Sequence, residues 1–429
     1  MPLVSQVFGV SAKVNNYSYV DRDNLDKKLR RLLNRQTHIA IKGPSKCGKS
    51  WLRQKCMDDA IIVQCRLDMT PEDIYSQALS SLGVPFNQQR SSSTTLSANA
   101  AGTGSVQLPL IGKLGMEGEL SASHEHSSGV SLDFSTSTDN LQFVADSIIR
   151  SGKRLVVEDF HYLSSGVRDK LAHDLKTLWD YGCFIVIIGV WTQANLLTYL
   201  NPDLTGRIEE ISVSWTNTEL GKVIDSGCAV LNVEIDSTIR KDLILDSFGN
   251  VGILQSLLLK LIEDEADISQ TAPTHLIIAD PELFDRAAKS YANQLDGLYQ
   301  QFAKTLSVGI RRRRKSTGIY ALAMQAIVNA SNEQLLNGYS RADIFSYTNA
   351  IEHRIKKGNL KTVLQKLVEL QNPGSGRTLV ISYDEAIDAV FAVDLQLLFY
   401  RKYHSMGWPW EEMAEEARQQ SLFEAEETD

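Results

Sequence analysis

The chain has 429 residues, of which 43% are hydrophobic and 22% are charged, a balance typical of a globular protein with two or three domains. It contains no apolar run near the roughly 18 residues that a membrane-spanning helix needs, and its N-terminal stretch lacks the features of a secretory signal. The five cysteines show no C-x-x-C spacing, which favours a reducing compartment. We therefore expect a cytoplasmic protein with no membrane partner.

The formal net charge of −8 is distributed unevenly. Residues 411–429 hold eight acidic side chains and one basic one, so this tail accounts for −7 of the total. Residues 311–405 hold fourteen Lys and Arg against eight Asp and Glu, a surplus of +6. Charge is therefore segregated into a basic late segment and an acidic tail.

A glycine-rich stretch follows a predicted amphipathic helix at residues 23–33 and a predicted strand at 38–42. It fits G-x-x-x-x-G-K-[ST], the pattern of a phosphate-binding P-loop. The alternative is a chance glycine-rich turn before a helix. The residues of the motif are Gly43, Pro44, Ser45, Lys46, Cys47, Gly48, Lys49 and Ser50.

Each part of this motif has a chemical role. Gly43 and Gly48 allow successive backbone N–H groups to point at one anion. Lys49 brings positive charge to the β- and γ-phosphates, and the Ser50 hydroxyl can bind Mg²⁺. A helix predicted over residues 48–57 adds the positive end of its dipole.

Strands and helices alternate over the first half of the chain. Largely apolar strands separated by helices predict a parallel sheet covered on both faces, so we expect residues 1–215 to form an α/β domain. Residues 86–138 break the pattern and are interpreted as an insertion, either a β-hairpin or a flexible loop. The further predicted strands are 60–67, 154–157, 183–190 and 208–213, and the further helices are 68–82, 139–150 and 167–181.

The second half of the chain is mainly helical. Residues 216–306 are expected to form a helical lid without strands between its first three helices, and 307–405 a winged-helix domain of three helices and a β-hairpin, before a tail at 406–429. The predicted lid helices are 216–231, 237–248, 251–263 and, after a linker at 268–274, 281–306. The later elements are helices 318–330, 341–350, 360–370 and 395–403 and strands 377–382 and 389–393.

A carboxylate pair follows the predicted strand at 154–157. In P-loop sites, one carboxylate at the end of a neighbouring strand serves Mg²⁺ and another orients the attacking water. Glu158 occupies the metal-facing place and Asp159 the water-activating place, although most such sites carry Asp first and Glu second. Ser50 and Glu158 are therefore the predicted metal-binding residues, with two surface acids as the alternative.

The order of these parts resembles the AAA+ ATPases and their signal-transducing STAND relatives, over most of residues 21–403. The sequence Glu-Asp-Phe-His-Tyr at 158–162 is also similar to the Asp-Asp-Phe-His form of some bacterial members. The resemblance implies ATP and Mg²⁺ as cofactors, and no guanine-reading Asn-Lys-x-Asp segment is visible. The lid turn at residues 249–252 matches the family's Gly-Asn-x-x turn, but the arginine expected there is missing.

Two further roles are implied by this resemblance. Thr192 or Gln193 lies where the family has a polar residue that contacts the γ-phosphate or the lytic water; a helix N-cap is the alternative. Arg207 matches the arginine finger, which enters a neighbouring protomer's site and so requires a homo-oligomer. An ion pair of Arg207 with Glu209 or Glu210 is the alternative.

Basic residues of the predicted winged-helix domain are candidates for contacts with a DNA backbone. A charged outer face is also usual for any globular domain, and Asp384, Glu385 and Asp388 would repel phosphate. Protein docking or autoinhibition is therefore the alternative. The candidates are Arg311, Arg312, Arg313, Arg314, Lys315, Lys356, Lys357, Lys361 and Lys366.

Together these features predict an AAA+-like ATPase that hydrolyses ATP with Mg²⁺ and acts as an oligomeric, nucleotide-gated factor on duplex DNA. The alternative is a signalling or antiphage-defence switch whose ATP-dependent assembly activates a separate effector protein. In that alternative DNA is incidental. A structurally inert P-loop protein is a weaker third option.

Overall fold

The computed structural model describes residues 1–86, 137–309, 317–371 and 379–415. Nearly all of the predicted insertion, the basic run from Arg311 to Lys315 and the end of the acidic tail lie outside these ranges. Within them, none of the helices combines the length and apolar character that a membrane crossing requires.

A five-stranded parallel sheet forms the centre of the first region. The strands lie in the order β2–β3–β4–β1–β5, so β1 lies between β4 and β5, and all pairings are parallel. The predicted α/β fold with a parallel sheet is thus confirmed. The strands are β1 (His38–Lys42), β2 (Ile61–Gln64), β3 (Leu155–Glu158), β4 (Val186–Gly189) and β5 (Ile208–Ser212).

Helices cover both faces of this sheet. Because successive strand residues point to opposite faces, Ile39 and Ile41 join one hydrophobic core, with α2 and α3, while Ala40 joins the other, with α4, α5 and α6. A short helix α1 precedes them and α7 follows. The helices are α1 (Val4–Val7), α2 (Leu25–Leu33), α3 (Lys49–Cys56), α4 (Pro71–Ser81), α5 (Leu141–Arg150), α6 (Ser165–Asp180) and α7 (Leu196–Leu200).

The region from residue 216 to 309, which includes the predicted lid and is called the lid below, is mainly helical but contains two strands. The expectation that no strand lies between its first helices is wrong, because β6 pairs in parallel with β7. Strands of three residues are too short to give a period-two pattern in the sequence. The lid elements are α8 (Asn217–Leu231), β6 (Val233–Ile235), α9 (Ser237–Leu245), α10 (Val251–Leu259) with a wider turn over Lys260–Glu265, β7 (Leu276–Ile278) and α11 (Pro281–Gly309).

In the N-terminal segment, residues 1–12, the buried apolar side chains pack on the lid, while the carbonyls of Ser11 and Ala12 accept hydrogen bonds from α3. Val4, Val7 and Phe8 are fully buried in the core that also contains the lid helices. A Cβ at Gly227 would lie 2.2 Å from the Phe8 ring, so this ring sits directly against the backbone of α8. The first residues, which the sequence assigned to the α/β domain, therefore contribute to the lid core.

The C-terminal module, residues 317–415, contains the predicted helices and hairpin together with α13 and β8, which were not predicted. Its three antiparallel strands lie in the order β8–β10–β9, and its core is continuous with that of the lid. Of the strand predicted at 377–382, the described part begins pairing at Ile381. The elements are α12 (Ile319–Asn329), α13 (Asn332–Asn337), β8 (Tyr339–Ser340), α14 (Arg341–Ile351), α15 (Lys357–Leu370), β9 (Ile381–Asp384), β10 (Ala389–Ala392) and α16 (Gln396–Tyr403).

His38, at the start of β1, is a buried polar residue that ties the sheet to α6. Its Nε2 lies 2.8 Å from the Leu175 carbonyl oxygen, and its Nδ1 accepts a hydrogen bond from the Ile185 N–H at 2.9 Å. Both contacts are satisfied by the neutral ring with its proton on Nε2. Burial lowers the pKa of His38 from 6.5 to about 4.

This pKa predicts a loss of stability in acid. Because the unfolded chain takes up a proton on His38 near pH 6.5 while the folded chain does so only near pH 4, stability is fully present above 6.5 and falls as pH drops toward 4. Between pH 7 and 5, His38 should account for a loss of about 2 kcal/mol in the free energy of unfolding. Urea unfolding of His38→Gln should lack this component, whereas exposed His173→Gln should retain it. An identical pH dependence in wild type and His38→Gln would contradict the assignment.

Candidate functional site

The P-loop connects the end of β1 to the first turn of α3. Gly48 precedes α3 with a φ of 90°, in the left-handed region that favours glycine. Gly43 is required by close packing, because a Cβ there would lie 2.7 Å from the Val213 carbonyl oxygen. The loop is thus fixed between the end of β1, the residue that follows β5, and α3, which begins at Lys49.

Lys49 is the cation of this loop. Its Nζ donates to the carbonyl oxygens of Gly43 and Pro44 at 2.9 and 2.6 Å, and it lies 3.7 Å from the Cys47 sulfur. These carbonyls belong to the start of the same loop, so the ammonium group lies across it. A phosphate held by the loop would have to compete with these hydrogen bonds for the lysine.

Glu158 is the last residue of β3, and Asp159 directly follows the strand. Glu158 is buried, and its Oε1 accepts a hydrogen bond from Arg53 Nε at 3.0 Å, in an ion pair that the sequence did not indicate. Asp159 has a φ of 57° and begins a short helical turn over Phe160–Tyr162. Burial, and secondarily the charge of Glu158, raises the pKa of Asp159, while Lys49 acts in the opposite direction.

The structure brings the P-loop and both carboxylates to one cavity of about 400 Å³. The N-terminal segment forms another part of its wall, and the lid contributes Val251, Gly252 and Gln255, which carry no charge. The lid residues that line the cavity thus include no arginine, which is consistent with the missing arginine in the lid turn. From the motif and the acid pair, the lining residues are Ser45, Lys46, Gly48, Lys49, Ser50, Glu158 and Asp159.

The lid and the C-terminal module both contact the first half of the P-loop. Asn250 Nδ2 donates to the Ser45 carbonyl oxygen at 2.9 Å, and Gly252 packs so closely on Lys46 that a Cβ would lie 2.5 Å from the Cβ of Lys46. The Lys46 ammonium donates to Gln396 Oε1, at the start of α16, at 2.8 Å. The sequence showed Asn250 only as part of a turn and gave no sign of Gln396.

Thr192 and Gln193 do not line this cavity. Thr192 Oγ1 lies 3.3 Å from Ser382 Oγ of the C-terminal module, and the Gln193 carbonyl accepts a hydrogen bond from Lys42 at 3.1 Å. Both residues line a second cavity of about 720 Å³ between the sheet region and the C-terminal module. His161 borders both cavities.

Arg207 also lies away from the P-loop cavity of its own chain. Its guanidinium carbon lies 4.9 Å from the centre of the Trp179 ring, and it donates to the Asp203 carbonyl oxygen. The acids that the sequence offered as ion-pair partners are bound elsewhere, Glu209 to Arg35 and Glu210 to Lys42.

The candidate DNA-binding lysines that the structure describes are exposed, but several are engaged. Lys361 pairs with Glu385 at 3.3 Å and Lys366 with Glu369 at 2.7 Å. Lys357 lies over the Phe345 ring, at 5.4 Å from its centre. The hairpin acids therefore offset part of the charge of α15. Arg311, Arg312, Arg313, Arg314 and Lys315 lie outside the described residues.

No protein-family model and no curated protein matches the sequence. The fold is similar to that of the Walker-type ATPase of Pyrococcus abyssi, with a TM-score of 0.50 and 13% identity over 92% of this chain and 99% of that one. Cdc6p from Pyrobaculum aerophilum (TM-score 0.40, 13% identity, 93% and 97% covered) and the Orc1 protein of Aeropyrum pernix in complex with DNA (0.39, 10%, 94% and 94%) also match. The first likeness supports the α/β P-loop fold along most of the chain.

The contact of the lid with the P-loop makes Gly252 sensitive to substitution. Gly252→Ala places a methyl group 2.7 Å from the Lys46 carbonyl oxygen, so the lid or the loop must shift. We expect the free energy of unfolding to fall by about 1–3 kcal/mol, as for other overpacked sites. Gly166→Ala, on α6 with open space around it, is the matched control and should be neutral or slightly stabilising. Equal stability of the two variants in urea unfolding would contradict this packing.

Proposed function

We propose that the chain binds ATP with Mg²⁺ at the P-loop and hydrolyses it. The observation that supports this function best is the single cavity that holds Lys49, Ser50, Glu158 and Asp159. Backbone N–H groups at the start of α3 and the Lys49 ammonium provide the positive charge that a triphosphate requires. ATP is favoured over GTP by the resemblance of the sequence to AAA+ and STAND proteins.

The cavity has the donors that Mg²⁺ prefers. Mg²⁺ is usually held by one or two carboxylates or hydroxyls together with phosphate oxygens and water, so Ser50 and Glu158 fit it without a larger cluster of ligands. The described residues contain no group of three His, Cys, Asp or Glu side chains arranged for a metal. When bound, the ion neutralises charge that develops on the phosphates. Glu158 would then exchange or share its hydrogen bond with Arg53.

Asp159 is the residue that we propose to orient the attacking water. It lies beside Glu158 in the cavity wall, where burial, and secondarily the charge of Glu158, raises the pKa of Asp159. A carboxylate in such surroundings is a better proton acceptor than an exposed one. Arg53 forms an ion pair with Glu158 and not with Asp159, so the two carboxylates have different surroundings and can take different roles.

We further propose that nucleotide binding controls the arrangement of the lid and the C-terminal module. Both contact the loop that would hold the phosphates, through Asn250 at Ser45 and through Gln396 at Lys46. A phosphate that attracts the Lys46 ammonium would weaken its hydrogen bond to Gln396. The binding energy of the nucleotide would thereby shift the C-terminal module.

The proposed assembly is a homo-oligomer in which Arg207 acts on a neighbouring protomer. Arg207 is absent from the wall of its own cavity and lies over Trp179. Stacking on an aromatic ring occupies the face of a guanidinium, so its in-plane N–H donors, apart from the one bound to Asp203, stay available. Its place before β5 corresponds to the arginine finger of the AAA+ pattern.

For the C-terminal module we propose a winged-helix domain that contacts duplex DNA through its lysines. The second candidate is the docking of a separate effector protein, and a specific observation favours it. Two of the lysines on α15 are already paired with acids, and Glu385 comes from the hairpin itself. Paired lysines contribute less to the attraction of a phosphate backbone.

Two variants separate binding from turnover. Lys49→Ala should abolish tight binding of ATP, whereas Asp159→Asn should retain it and lose turnover by about 100-fold or more, because only the positioning of water is removed. Nucleotide binding by calorimetry and phosphate release are the measurements. Lys28→Ala, an exposed lysine of α2, is the control and should match wild type in both. Normal ATP binding by Lys49→Ala would contradict the assignment of the site.

Filter binding to duplex DNA distinguishes the two roles. If DNA is a ligand, affinity should fall steeply between two salt concentrations, with a slope of about −0.9 for each phosphate neutralised, and should change when ATP is added. The double variant Lys356→Ala, Lys357→Ala should flatten this slope by about two phosphate contacts. Weak binding that neither salt, ATP nor this variant alters would favour the effector-protein alternative.

A further inference from the structure

Arg22 is a buried cation beside the P-loop, in the segment before α2. Only 2% of its surface is exposed. Its Nη1 donates to the Cys47 carbonyl oxygen at 2.9 Å, and its guanidinium carbon lies 4.4 Å from the centre of the Trp215 ring. Nε and Nη2 have no hydrogen-bond partner within the described parts of the chain.

Arg22 also lacks a counter-charge at close range. None of the ion pairs among residues 1–86, 137–309, 317–371 and 379–415 includes it. The charge of Asp26 acts on it, but that carboxylate is hydrogen-bonded to the Tyr19 hydroxyl at 2.7 Å. Lys46 and Lys49 belong to the P-loop that Arg22 contacts at Cys47, and they add further positive charge there. A buried charge without a partner is costly, so a residue of this kind needs a source of negative charge.

The P-loop cavity lies next to Arg22. A Cβ at Gly48 would be 3.0 Å from Nη1, so the guanidinium lies directly against the loop backbone. Gly48, Trp51 and Val251 line both the P-loop cavity and a small recess at Arg22. An anion held by the N–H groups of this loop would therefore be separated from Arg22 by one layer of backbone.

We infer that Arg22 is a positioning residue for the P-loop whose charge is compensated by the polyphosphate that the loop binds. Its hydrogen bond, together with one from Trp215 Nε1 at 2.9 Å, holds the Cys47 carbonyl away from the cavity, which favours an inward direction for the N–H groups that follow. Its buried charge adds to the potential at the phosphate site. The inference rests on the proposed function, since it requires an anion at the loop.

A purely structural arginine would behave differently, and the chain contains one for comparison. Arg401 donates to the carbonyl oxygens of Val328 and Ala330 at 2.6 and 2.9 Å, and burial lowers its pKa to about 10. Its Nε also lacks a partner among the described residues. It does not line the P-loop cavity. Arg401→Met should lower the stability of the free protein and leave nucleotide binding unchanged.

The test compares Arg22→Met, Arg22→Lys and Arg401→Met in the full chain, by thermal unfolding and by calorimetry with Mg²⁺-ATP and with inorganic triphosphate. For Arg22→Met we expect a midpoint without ligand at or above that of wild type, because an uncompensated charge is removed, and a Kd about tenfold weaker for both ligands. Arg22→Lys should lie between wild type and Arg22→Met in Kd, because it keeps the charge.

Each result decides the inference. An unchanged Kd in Arg22→Met, or a midpoint below that of wild type without ligand, overturns it, since Arg22 would then act only on the fold. Loss of triphosphate binding together with an undiminished ligand-free midpoint supports it. If wild type itself binds neither ligand, the proposed function is rejected together with this inference, whereas binding by wild type that Arg22→Met fully retains rejects the inference alone.

Discussion

A loop that binds an anion through its N–H groups turns carbonyl oxygens outward, and buried carbonyls require donors. Here Lys49 of the loop itself donates to the carbonyls of Gly43 and Pro44, whereas the donors to two others come from parts of the chain that are distant in sequence. Asn250 of the lid donates to Ser45, and Arg22 and Trp215 both donate to Cys47. The lid at Asn250, the residue Trp215 just before α8, and Arg22 before α2 therefore meet at one loop, because its buried carbonyl oxygens need hydrogen-bond donors. A change in the loop that redirects these carbonyls would break hydrogen bonds to all three segments.

The C-terminal module is connected to the same loop by a chain of polar groups that is buried except at Lys46. Gln396 accepts hydrogen bonds from Lys46 and from the Tyr291 hydroxyl, both at 2.8 Å, and its amide donates to Asp394 at 3.2 Å. Asp394 in turn accepts from the Tyr299 hydroxyl at 2.9 Å. Since Tyr291 and Tyr299 lie on α11, the P-loop, the long lid helix and the start of α16 share one network. Buried networks of this kind favour one arrangement, because partial rearrangement leaves polar groups unpaired.

The sequence predicted those parts of the fold and site that adjacent residues define. The strand at His38–Lys42, the P-loop after it and the acids at the end of β3 each lie in one stretch, where apolar runs and motif spacing are visible. It could not predict contacts between distant segments, such as the hydrogen bond of Lys46 to Gln396, since both are ordinary polar residues in sequence. Thr192 was assigned by its place after a strand, whereas the direction of its side chain toward Ser382 depends on how the C-terminal module packs.

The reversed order of the two acids has a physical reason in the backbone. The first acid is the last residue of β3, where Glu158 is buried and its longer side chain reaches Arg53. The second must adopt a φ of 57° to start the turn that follows. Aspartate tolerates this left-handed conformation better than glutamate, because its short side chain can hydrogen-bond locally. Exchanging the two residues would place glutamate in the strained position and shorten the side chain that reaches Arg53. The order Glu-Asp is therefore the one that this turn and this ion pair accommodate.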